Sequence, residues 1–247
     1  IVLTIFLFLA ALQETAYGAP EDIPIPTFPF IQPAETPQDT ALTLQIVLIL
    51  TVLSLAPSIL IMMTSFTRTI IVLSFVRNGL GTQQVPPAQV LIGLALFMTI
   101  FTMAPVLSDI NNDALQPYIN QEIGSQEALE SAQGPLRDFM FRQTREKDLA
   151  LFLHHAKLKH EIRSYDDIPT FVLIPAFIIS ELKTAFQMGF IIFIPFLVID
   201  MIVSSTLMSM GMMMLPPIMI SLPFKILLFV MVDGWNIVIN SLLSGFR

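Results

Sequence analysis

Four groups of residues in this sequence have side chains whose type and spacing could do chemistry. Ser180-Glu181-Leu182-Lys183 has the S-x-x-K spacing with which a lysine activates a serine nucleophile, but neither S-D-N nor K-T-G accompanies it. Asp200 and Asp233 are acids in apolar surroundings, as in an aspartyl dyad or a proton relay, yet they lie on separate segments with nothing flanking them to hold them together. His154, His155 and His160 offer imidazoles to a metal. Neighbouring histidines on a helix point to different sides, so a solvated helix surface is the expected reading. The fourth group is Met208, Met210, Met212, Met213 and Met214, five of the fourteen methionines within seven positions, set against Gly211 and Pro216-Pro217. Glycine and a double proline do not continue a regular helix, so the cluster is expected in a loop. Thioether side chains are unbranched and soft, and a ring of such loops from several copies would make a deformable apolar constriction.

None of these groups is a recognisable catalytic set, and no catalytic site, metal site or cofactor is expected. The chain has no G-x-x-x-x-G-K-[ST] phosphate loop, so it is not expected to supply driving energy itself. With no cysteine, disulfide frameworks and thiol chemistry are excluded. A net charge of −7 leaves no basic face for nucleic acid.

The elements that must position these residues are set by hydropathy. The chain has 247 residues, 54% hydrophobic and 13% charged, against roughly a quarter charged in a soluble domain. No charge occurs between Asp39 and Arg68, between Arg77 and Asp109, or between Asp200 and Lys225. Each gap could hold a membrane span, which needs about 20 apolar residues. Spans are expected near 41–63, 88–107, 170–199 and 201–246, with Pro57, Pro105, Pro175, Pro195 and Pro216-Pro217 breaking or kinking them. Residues 1–19, with an apolar run to Leu12 and small residues around Gly18, read as a secretory signal, and 20–40, with six prolines and four acids, as an acidic linker. Residues 109–167 hold 18 of the 31 charges and form the one water-facing region, where Gly134-Pro135 fits the start of an amphipathic helix running on to Ala156.

Arg68, Arg77, Glu181, Lys183, Asp200, Lys225 and Asp233 interrupt apolar runs. An isolated charge at a bilayer centre costs about 2.5 to 3.5 kcal/mol even on the lenient insertion scale. Four bases and three acids are nearly balanced, so mutual pairing within or between subunits is expected. Arg68 and Arg77 mark their turn as cytoplasmic.

Met62-Met63-Thr64-Ser65-Phe66-Thr67-Arg68, Arg77-Asn78-Gly79-Leu80-Gly81, Phe141-Arg142-Gln143-Thr144-Arg145-Glu146, the block from Pro175 to Gln187, Gly211-Met212-Met213-Met214 and Val232-Asp233-Gly234-Trp235 together closely resemble the FliP family, the flagellar branch of the type III secretion export-gate subunits. The resemblance covers about 41–247. It implies an all-α, membrane-associated fold of proline-broken helical hairpins packed between subunits in a helical, funnel-shaped gate. It divides the chain into apolar hairpins over 41–107, a polar helical domain over 108–169 on the non-cytoplasmic side, and C-terminal hairpins over 170–247 carrying a methionine-rich pore loop at 208–217. It further implies a homo-oligomer of five copies, FliQ-like and FliR-like membrane partners, FlhB-like and FlhA-like export components, and unfolded exported proteins as cargo. The gasket of the family's pore falls on the methionine loop, most directly on Met212, Met213 and Met214. Charged contacts between subunits fall on Arg145, Glu181 and Lys225. The expected location is the bacterial inner membrane at the flagellar basal body, extending toward the periplasm. The alternative from another class is a proton-coupled secondary transporter using Asp200 and Asp233.

Overall fold

The computed structural model describes residues 37–82, 84–157, 164–212 and 214–246. The expected signal sequence, nearly all of the expected linker, His160 and Met213 lie outside them. Every regular element among the described residues is helical. In chain order these are α1 (Pro37–Met63), α2 (Phe66–Gly79), α3 (Ala88–Ile110), a π-helical turn (Asn111–Leu115), α4 (Gln116–Ile119), α5 (Ser125–Gln143), α6 (Glu146–Ala156), a 3-10 turn (Tyr165–Asp167), α7 (Thr170–Ser209), α8 (Pro217–Met231) and α9 (Gly234–Ser244). The all-α class read from the sequence is the class observed. Two stretches, Ala88–Ile119 and Thr170–Ser209, are long and apolar enough to cross a membrane, and up to four if two bent helix pairs each count as one span.

The chain divides into two compact units, 1–54 and 55–247. The described part of the first is the N-terminal stretch of α1, in which Leu44, Val47, Leu48, Leu50 and Leu53 are all exposed. α1 starts at Pro37, within the stretch read as linker.

The second unit is built on α2 and α7. Phe75 of α2 packs so closely on Gly189 of α7 that a Cβ there would sit 2.4 Å from its ring, and Phe75 meets Phe186 edge-on at 5.5 Å. One core lies around Val72, Leu73 and Val76 of α2, Leu91 and Ala95 of α3, Ala185 and Phe196 of α7, Phe229 of α8, and Val238 and Leu242 of α9. A second joins Met103 and Val106 of α3, Phe139 and Met140 of α5, Leu149 of α6, and Val172, Leu173, Ala176 and Phe177 of α7. Fully burying each of the larger of these side chains contributes about 1.5 to 3 kcal/mol.

Three expectations are corrected. α7 is a single helix of 40 residues that passes through both Pro175 and Pro195, so the break expected at 199–201 is absent. Each proline removes one backbone bond, but in apolar surroundings no water would satisfy the donors and acceptors freed by a full break, so the helix continues. Pro135 lies inside α5, whose start at Ser125 is ten residues upstream of it and follows Gly124. The first turns of α5 are polar on all sides and carried no periodic signal to find it. The amphipathic stretch is also two helices, because Thr144 and Arg145 both adopt extended backbone between α5 and α6.

Candidate functional site

Two features stand out, a buried lattice of charges and an exposed methionine turn. The lattice centres on Arg68, one turn into α2 and 2% exposed. Its Nε donates to Glu181 Oε2 at 2.9 Å and one Nη to Glu181 Oε1, a bidentate pair in which Glu181 is fully buried. The same Nη donates to Gln143 Oε1 at 2.9 Å, the other to the carbonyl of Gly245 at 2.8 Å, and the guanidinium lies 4.0 Å over the Phe246 ring. One cation thus ties α2 to α7, to the end of α5 and to the chain after α9. A planar guanidinium suits this because its fork of donors matches a carboxylate and leaves further N–H groups for other acceptors.

One residue earlier on α7, Ser180 Oγ donates to Asp148 Oδ2 at 2.9 Å and accepts the backbone N–H of Arg145 at 3.0 Å. The extended backbone at Thr144 and Arg145 is what turns that N–H out of the helices and toward α7. Lys183 Nζ donates to the other oxygen of Asp148, and the exposed Arg145 side chain reaches Thr184 Oγ1 at 3.0 Å and Gln187 Oε1 at 2.6 Å. Burial works to raise the Asp148 pKa. The hydrogen bonds from Lys183 and Ser180, with the attraction of Lys183 and Arg145, outweigh it and hold the carboxyl below its ordinary value. A third pair closes the α7–α8 hairpin, where Lys225 Nζ meets Asp200 Oδ2 at 2.7 Å and Ser221 Oγ donates to Oδ1.

The chemistry weighed for these residues is therefore occupied by structure. Ser180 and Lys183 meet on the Asp148 carboxylate, and Ser180 is fully buried. Asp200 is bound by Lys225 and Ser221, while Asp233 is exposed on the turn between α8 and α9. His154 and His155 are exposed on the last turn of α6, and among the described residues no three His, Asp or Glu side chains converge as a metal site. Of the seven charges that interrupt apolar runs, Arg68, Glu181 and Lys225 are buried, Arg77 and Asp200 are half-buried, and Lys183 and Asp233 are on the chain's surface. Within the chain, Glu181 and Lys225 pair with Arg68 and Asp200, and Arg145 alone of the three inter-subunit candidates keeps an exposed side chain. The anchor missed by sequence reasoning is Arg137. It donates to Thr170 Oγ1 at 2.6 Å and to the carbonyl of Ile168 at 2.7 Å, fixing the start of α7. An arginine on a polar helix carries no signal of that role.

The second feature is the end of α7. Gly211, at φ +76°, donates to the Met208 carbonyl at 3.0 Å, and Met212 N–H donates to the Leu207 carbonyl at 3.0 Å. These two bonds form a Schellman motif, with the glycine in the left-handed conformation that a side chain resists. Pro216 caps the next helix and Pro217 opens it, where its missing N–H has no cost. The turn therefore reverses the chain while presenting its thioethers outward: Met208 is 65% exposed, Met210 63% and Met214 99%. Elsewhere in the same chain Met140, Met103 and Met98 are buried. An apolar groove of about 430 Å³, lined by Ile202, Val203, Leu207 and Phe224, runs along the hairpin below it.

These elements define an all-α membrane protein whose apolar helices are cross-braced by internal ion pairs and end in an exposed methionine turn. The sequence matches the FliP family over residues 49–242, and the chain belongs to that family. It is 60% identical over 210 residues to the flagellar biosynthetic protein FliP of Bacillus subtilis (strain 168), covering 85% of this chain and 95% of that protein. It is also 53% identical over 209 residues to FliP of Pectobacterium carotovorum subsp. carotovorum, covering 85% and 81% of the two chains. FliP of Aquifex aeolicus (strain VF5) is 49% identical over 206 residues, covering 83% and 86%.

Proposed function

We propose that this chain is a core subunit of the flagellar type III protein export gate, and that copies of it line the pore through which unfolded flagellar subunits cross the inner membrane. The observation that carries this reading is the exposed methionine turn at the tip of the α7–α8 hairpin. Among the described residues, apolar side chains held outward by a Schellman cap and a double proline are left exposed. Brought around one axis, they would pack on one another as a gasket. Soft, unbranched thioethers conform around a varied polypeptide and exclude water and ions when none is present.

The same reading accounts for the exposed apolar faces of α1, α3, α7 and α8, which sister copies and FliQ-like and FliR-like partners would cover in a five-copy, funnel-shaped assembly. FlhB-like and FlhA-like components would deliver cargo and energy. Arg145, whose exposed side chain reaches Thr184 and Gln187 within the chain, would contact a neighbour. Replacing Met212, Met213 and Met214 together with alanine in the assembled complex should make the resting membrane leak small ions. Unchanged single-channel conductance would refute the gasket.

A further inference from the structure

Of the seven charges that interrupt apolar runs, five are paired within the chain: Arg68 with Glu181, Lys225 with Asp200, and Lys183 with Asp148. The two left over are one cation, Arg77, and one anion, Asp233. Neither makes a side-chain hydrogen bond among the described residues, and Arg77 Nε is buried without any partner. A guanidinium half-sunk in an apolar helix with a buried, unsatisfied N–H is costly, and no acceptor for it is found among the described residues.

Both charges stand within two residues of a glycine that packs on one pair of phenylalanine rings. A Cβ on Gly79, two residues beyond Arg77, would lie 2.5 Å from the Phe196 ring. Phe196 packs on Phe229 at 6.1 Å, and a Cβ on Gly234, next to Asp233, would lie 2.3 Å from Phe229. Two phenylalanine rings thus lie between the glycines that neighbour the two charges. Each charge also borders surface that the chain leaves uncovered. Asn78, next to Arg77, is exposed, and Val230, Met231, Val232 and Ile237 are exposed around Asp233.

We infer that Arg77 of one copy pairs with Asp233 of the next, so that the odd cation and odd anion of each chain neutralise one another around the assembly. The inference rests on the multi-copy reading above. It adds to it a specific contact, in which a guanidinium receives an aspartate rimmed by apolar side chains.

The chain has no cysteine, so introduced thiols report this contact cleanly. Two differently tagged full-length chains, one Arg77→Cys and the other Asp233→Cys, are co-expressed with the partner membrane subunits and treated with a mild copper oxidant. A covalent dimer carrying both tags is expected, at yields about tenfold above either chain with itself. In parallel, Arg77→Glu or Asp233→Arg should each lower the assembled fraction about tenfold, and the double reversal should restore most of it. Normal assembly with no mixed dimer overturns the pairing and leaves the export-gate reading standing. A chain carrying both cysteines that closes on itself as a monomer overturns it too. Wild-type chains that stay single among their membrane partners overturn the export-gate reading and the pairing with it.

Discussion

The lattice around Arg68 and the turn around Gly211 are solved by the same chain in opposite ways. At Arg68 the Nε and both Nη groups donate inside the molecule, to partners 75 to 177 positions away along the chain. At Gly211 the backbone is satisfied by its own cap and the side chains are left facing out. The contrast separates what the single chain must hold rigid from what it must offer to something else. A buried ion pair is poor as a source of net stability and good at fixing register, since any slip of α2 along α7 would strand two charges. The methionine turn fixes only the position of a loop and leaves the identity of its contacts open.

The sharpest way to break this contrast is to remove one charge from the lattice. Glu181→Ala leaves a buried arginine without its acid, and a loss of about 3 to 5 kcal/mol in unfolding free energy is expected in detergent denaturation. If the lattice sets register more than stability, replacing both Arg68 and Glu181 with leucine should recover much of that loss. Its signature would then be wider conformational heterogeneity, visible in hydrogen exchange across α2. Ser180→Ala should cost about 1 to 3 kcal/mol, because it strips a partner from both the buried Asp148 carboxylate and the part-buried Arg145 N–H.

Asp148 gives the same region a pH signature. Its folded pKa is held below the ordinary 3.8, so its contribution is fully present above the unfolded value and is lost as the pH falls through the folded one. Acid unfolding of the wild type should therefore steepen below about pH 3.8. Asp148→Asn should remove that dependence while lowering stability at neutral pH. A wild-type curve that already falls steeply well above this pH would show that another group carries it.

Much of this was legible in the chain. Long uncharged runs and the charges punctuating them depend on composition alone, so the helical class, the interrupting residues and the methionine loop could be read directly. Who pairs with whom could not, because Arg68 finds Glu181 and Lys225 finds Asp200 only once α2, α7 and α8 are packed. Prolines misled for a related reason. Their local rule predicts a break, yet the cost of freeing backbone groups in apolar surroundings kept α7 whole through Pro175 and Pro195. The split at Thr144 and Arg145 was there to be read, since at about 100° per residue the apolar sets before and after it lie about 140° apart and no single straight helix puts both on one face.

At the turn, effects on the isolated chain should be small and of a different kind. Gly211→Ala meets open space, so its cost of about 1 to 2 kcal/mol comes only from forcing a side chain into the left-handed conformation. Met214→Ser is smaller still. The residue is 99% exposed, and unfolding of the isolated chain should shift by no more than about 0.5 kcal/mol. The same substitution in the assembled complex should raise ion leakage, because there a hydroxyl would replace a thioether in a packed ring. A serine variant that destabilised the lone chain as much as Ser180→Ala would mean that the turn is part of the chain's own core, and the contrast between the two regions would fail.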